Sequence, residues 1–121
     1  MTLQTHKDLI VWQESRLLVK EIYDLTSGFP KEEIYSLTSQ IRRAAISIPS
    51  NIAEGAGRDS NKENIHFLFI AVGSAAELDT QLILARDLNF ITEENFIRMS
   101  DRLSKISKML NGLIKHRHAM L

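Results

Sequence analysis

A chain of 121 residues with 15 basic and 15 acidic side chains, five glycines, two prolines and no cysteine is the size of one domain. Such a domain buries roughly two thirds of its unfolded surface and needs neither disulfide nor structural metal to fold. Thiolate zinc sites, cysteine nucleophiles and disulfide scaffolds are excluded, a zero net charge gives no global pull on nucleic acid, and so few Gly and Pro leave little material for the turns of a β-protein.

In chain order, Met1 to Lys7 lacks the basic-then-apolar pattern of a secretory signal, and no uninterrupted apolar run approaches the ~20 residues of a membrane span. A cytoplasmic protein without a membrane partner is expected. Four segments then repeat apolar residues with a helical period. The first, about 8–26, places Val11, Leu18, Ile22 and Leu25 on one stripe. The second, about 30–56, opens at Pro30, a favourable first-turn residue, and carries Ile34, Leu37, Ile41, Ala44, Ala45, Ile48 and Ile52. Pro49 lies inside this pattern; because the stripe keeps its phase from Ile48 to Ile52, a kink is expected there, with a break into two helices as the alternative. The third, about 61–88, begins at Ser60-Asn61-Lys62-Glu63, the spacing of a capping box. The fourth, about 93–114, follows Thr92, and residues 115–121 read as a frayed tail.

The connections are short, around Ser27-Gly28-Phe29, Gly57-Arg58-Asp59 and Asn89-Phe90-Ile91, so consecutive helices should be antiparallel neighbours. The fold class expected is all-α, an up-down-up-down four-helix bundle in a single domain over 1–121. The third segment is unusual. Beyond its core face of Ile65, Leu68, Val72, Ala75, Leu82 and Ile83, its other side carries Ile70, Gly73, Ser74, Glu77, Gln81, Leu84 and Leu88 instead of a charged solvent face. A helix apolar nearly all round is usually buried all round, which points to self-association; a tolerated oily surface is the plainer alternative.

Trp12-Gln13, Arg42-Arg43-Ala44-Ala45 with Ser47-Ile48-Pro49-Ser50-Asn51-Ile52-Ala53-Glu54-Gly55, and Gly73-Ser74-Ala75-Ala76-Glu77-Leu78-Asp79-Thr80-Gln81-Leu82 together resemble the signature segments of a bacterial family. These are the four-helix-bundle proteins encoded in intervening sequences of large-subunit ribosomal RNA genes, related to the accessory variability protein of diversity-generating retroelements. The similarity extends over about Lys7 to Leu113. It implies a homo-oligomer, a pentameric ring or barrel, with no established catalytic activity and a proposed role in nucleic-acid binding. It also implies that Asn51, Glu54 and Gly55, and Glu77, Thr80 and Gln81, matter for assembly or for a ligand. The retroelement relative looks strongly basic whereas this chain is neutral, so the nucleic-acid role transfers poorly.

Charge is nevertheless uneven along the chain. Arg98, Arg102, Lys105, Lys108, Lys115 and Arg117 face Asp101 alone in the last segment, and residues 1–97 carry the compensating acidic excess. Five of these cations, Arg117 apart, fall within about 140° on the side away from the apolar stripe, a row suited to nucleic-acid phosphates. The plainer reading is the ordinary charged face of an amphipathic helix, with late cations suiting its dipole. Arg42 and Arg43 are expected to set register between subunits, paired with Glu54 or Glu77 across an interface that also holds Asn51, Gly73, Thr80 and Gln81. Glu63-Asn64-Ile65-His66 has the Glu-x-x-His spacing of di-iron bundles, but a single copy cannot complete such a site, so no metal or cofactor is expected. No Gly-x-Ser-x-Gly elbow occurs, Gly55-Ala56-Gly57 reads as helix termination, and the protein is expected not to be an enzyme. Two functions remain: a scaffold that binds RNA or DNA backbone through the fourth segment, or a module that docks another protein.

Overall fold

A computed structural model describes residues 5–121; Met1 to Gln4, part of the segment bearing on a leader peptide, lie outside it. The described chain is all-α. Four helices, α1 (Ile10–Thr26), α2 (Leu37–Ala56), α3 (Asn61–Asp87) and α4 (Glu93–His118), follow short 3-10 turns at His6–Asp8 and Lys31–Glu33. Around the bundle α1 packs on α2 and α4, and α3 packs on α2 and α4. Contacts pair late residues of one helix with early residues of the next: Gly55 of α2 meets Asn64 and Phe67 of α3, while Ser47 meets Ser74.

The centre is a continuous apolar core. Leu18 and Ile22 of α1, Ile41, Ile48 and Ile52 of α2, Leu68, Leu78 and Leu82 of α3, and Met99, Ile106 and Leu110 of α4 are almost wholly removed from water. These are the positions that the helical period selects, and burying each such side chain fully stabilises the fold by roughly 1.5–3 kcal/mol before entropy is counted. Buried polar groups sit beside this core with local partners. Thr26 Oγ1 donates to the Ile22 carbonyl at 2.8 Å, and Ser15 Oγ donates to that of Trp12 at 2.9 Å.

The helix ends differ from the sequence expectation at identifiable places. Thr5 and Asp8 form a complete capping box on the first 3-10 turn, so α1 starts at Ile10, not Asp8. Pro30 heads the turn Lys31–Glu33 instead of α2; Ser36, at φ −126° and ψ −110°, separates the two and delays α2 to Leu37. The α2 helix runs unbroken past Pro49, so the two-helix alternative falls. At the start of α3 only the hydroxyl half of the expected box is present, Ser60 Oγ accepting from the Glu63 amide at 3.2 Å. The α3 helix ends in a Schellman motif. Asn89 takes φ 62°, with Asn89 N donating to Arg86 O and Phe90 N to Ala85 O, both at 2.9 Å. Phe90 then packs on Phe29, their ring centres 5.6 Å apart. Finally, α4 does not fray at 114. It continues to His118, with no Gly or Pro after Leu113 to stop it and Lys115, His116 and Arg117 in the last turn complementing its dipole.

By length and composition α3 is apolar enough to cross a bilayer, with a mean hydropathy of 1.5 over its best window. In the bundle it is a core helix, with ten of its residues buried from Asn64 to Ala85. That packing accounts for one side of the helix, while Ile70, Leu84 and Leu88 are left exposed.

Candidate interaction surfaces

The outer side of α3 divides in two. Ser74 and Gln81, which helical periodicity assigns to the outward side, are buried, Ser74 against Ser47 of α2. The Ser47 and Ser74 hydroxyls share a hydrogen bond of 2.7 Å, and Asn51 Nδ2 donates to the Ser47 carbonyl and hydroxyl at 2.8 and 2.9 Å. The remaining residues, Ile70, Gly73, Glu77, Leu84 and Leu88, are exposed along one row, with 38% of Ile70, 46% of Leu84 and 55% of Leu88 in contact with water. Gln81 lies at the edge of this row. Its Nε2 donates to Glu77 Oε1 at 3.0 Å, while its buried Oε1 has no partner among the described residues. Thr80, also exposed, donates back to the Ala76 carbonyl at 3.0 Å. An apolar row with an unmet acceptor beside it suits a protein surface better than water.

Neither arginine of α2 pairs with Glu54 or Glu77 inside the chain. Arg42 Nε donates to Thr26 Oγ1 at 2.9 Å, and its guanidinium lies 4.5 Å from the centre of the Tyr23 ring, so it ties α2 to α1. Arg43 is exposed. Glu54 instead holds Arg58, one turn on, and Arg58 stacks over Phe67. The helix ends at Gly55-Ala56-Gly57, as residue order predicts, with Gly57 as the C-cap of α2, and Gly55 itself is buried against Asn64 and Phe67 of α3.

The cations of α4 also separate. Arg102 Nε meets Glu21 Oε1 at 2.9 Å and its Nη1 meets Glu14 Oε2 at 3.4 Å, while Arg98 Nη1 approaches Glu21 Oε2 at 3.5 Å. Glu14 and Glu21 stand seven residues apart on α1, two full turns, and so present one acidic edge to an Arg pair spaced by four. The spacing of the two glutamates is visible in residue order, but which cations it meets is decided only by the packing of α1 on α4. Lys105, Lys108 and Lys115 are exposed and have no carboxylate within 4.0 Å among the described residues. Arg117 leaves the row altogether and lines a cleft at the end of the bundle.

Removing the Arg102 guanidinium in Arg102→Ala is expected to lower stability by no more than about 1 kcal/mol, because all three partners are partly in water. Urea unfolding at low and high salt checks this; a loss that is large and unchanged by salt would mean that the clamp is packing rather than charge.

Four helices around one core, an exposed row on α3 and a divided charge pattern on α4 define an all-α four-helix-bundle protein, and no group of three or more metal-ligating side chains occurs among its described residues. The chain belongs to the 23S rRNA-intervening sequence protein family, whose model matches residues 7–112. Among solved structures it is similar to a protein of unknown function from the S23 ribosomal protein family of Bacteroides thetaiotaomicron VPI-5482. The two are 28% identical, with a TM-score of 0.82 over 88% of this chain and 96% of that one. No curated protein matches the chain.

Proposed function

We propose that this protein is a non-enzymatic, cytoplasmic scaffold that works as a homo-oligomer, with the outer row of α3 as its assembly surface. The observation that carries the reading is the exposure of Ile70, Leu84 and Leu88 beside the unpaired acceptor of Gln81. Scattered surface leucines are ordinary, but an in-line apolar row on a helix that also supplies the core is not. The family resemblance sets the expected count at five copies. Light scattering on the purified chain should therefore give about five times 13.8 kDa. A monomer at micromolar concentration would remove this reading.

A second reading, RNA or DNA backbone binding by the assembled ring, draws on Lys105, Lys108 and Lys115, the α4 lysines without an acidic partner. Arg98 and Arg102 contribute less than their number suggests, since α1 carboxylates already neutralise them. Reversing the three lysines to glutamate should abolish salt-sensitive retention of ribosomal RNA, whereas Arg98→Ala should change it little. Unmodified protein that shows no retention at low salt leaves the docking of another protein as the role of the ring.

A further inference from the structure

At one end of the bundle the 3-10 turn at His6–Asp8, the α2–α3 turn and the last turn of α4 enclose a largely polar cleft of about 310 Å³, lined in part by His6, Arg58, Asp59, Asn61, Asn64 and Arg117. Three features converge there. The N-terminus of the 27-residue α3 opens into it: Ser60 Oγ serves the Glu63 amide and the Ser60 carbonyl serves that of Asn64. The amides of Asn61 and Lys62 are left as the helix's open donors, at the positive end of its dipole. Asn64, only 9% exposed, lines the cleft, and neither its Oδ1 nor the buried Nε of Arg117 has a partner among the described residues. Arg58 is occupied by Glu54 and Phe67, so Arg117 is the cation with an open donor.

A buried guanidinium N–H and a buried amide oxygen left without partners are each costly, and none of the described residues answers either. A ligand that answers both presents acceptor oxygens to Arg117 and to the α3 amides, and a hydroxyl that donates to Asn64 Oδ1. The oxygens and the P–OH of a monoprotonated phosphate, at a helix N-terminus beside an arginine, meet that requirement. We propose that this cleft is a phosphate-binding site, filled by the phosphate of a small phosphorylated molecule or of a nucleic-acid strand. Asp59 on its wall opposes an anion, so the affinity for phosphate alone is modest, on the order of millimolar. The site is separate from the lysine row of α4 and does not depend on the assembly surface.

The test is an amide-resolved NMR titration of the full chain, at fixed ionic strength, with inorganic phosphate, adenosine monophosphate, adenosine, chloride and a short single-stranded RNA. Phosphate and the monophosphate should shift the Asn61 and Lys62 amides in a saturable way, while adenosine and chloride leave them in place. Arg117→Ala should weaken this binding about tenfold or more. Asn64→Asp, which sets a carboxylate against the anion, should abolish it, with circular dichroism checking that the helix content is intact. Tighter binding of RNA than of the mononucleotide identifies a strand as the source, and the reverse order a small metabolite. Amides of Asn61 and Lys62 that stay still with phosphate, or that shift equally in Arg117→Ala, would overturn the proposal.

Discussion

Gly55→Ala should destabilise the protein by about 1–2 kcal/mol, although alanine is the better helix former. In the last turn of α2 the substitution gains up to ~1 kcal/mol of helix propensity. Against this, a Cβ at residue 55 would stand 2.8 Å from Phe67 Cβ and 3.1 Å from the Asn64 carbonyl oxygen. Neither is the free end of a flexible side chain; one is fixed at the root of Phe67 and the other is backbone. The α2 and α3 helices must therefore separate, and overpacking of this kind costs typically 1–3 kcal/mol. Gly112 provides the control of opposite sign. It lies inside α4, exposed, with nothing within 4 Å of an added Cβ, so Gly112→Ala should stabilise by up to ~1 kcal/mol. Urea unfolding of both variants at one chain concentration, which matters for an assembling protein, decides the point. If the two substitutions move stability in the same direction, the close approach of α2 and α3 is not what residue 55 is for.

The second large effect belongs to assembly. Placing glutamate at both Ile70 and Leu84 should break the oligomer while leaving the subunit helical. Both side chains are substantially in water in the single chain, so neither change opens a cavity in the core. In the assembly their remaining surface is removed from water, stabilising each contact by roughly 1 kcal/mol, and a carboxylate buried in their place costs several more. The dissociation constant should rise at least about a hundredfold. Light scattering should then report 13.8 kDa, with the circular dichroism of the parent. An unchanged mass would move the interface elsewhere on the bundle, and loss of helix would show that the row supports the subunit itself.

Much of the architecture was legible from residue order. The stripes Val11–Leu18–Ile22 and Met99–Leu103–Ile106–Leu110 are core in the structure because a rigid 3.6-residue period leaves those side chains one direction to point. Helix ends were less legible. Pro30 is a good opening residue in general, yet here it heads a 3-10 turn, and what delays α2 is the backbone of Ser36, a torsion that composition does not encode. The length of α4 was underestimated for a related reason. Charged residues after Leu113 look like a tail, but nothing among them ends a helix.

The surfaces divide in the same way. Residue order alone fixed that α3 is too apolar for one core face, and Ile70, Leu84 and Leu88 are exposed. It could not show that Ser74 and Gln81 are buried, Ser74 against Ser47 of α2, since an angular position on one helix does not say where the neighbouring helix lies. It could not show that Glu14 and Glu21 neutralise Arg98 and Arg102, or that Arg117 joins Asn64 across an end of the bundle. Periodicity is a property of one helix and can be read along the chain. Which charges cancel, which donors stay open and how near two backbones come are properties of pairs of helices, and they exist only once the bundle has closed.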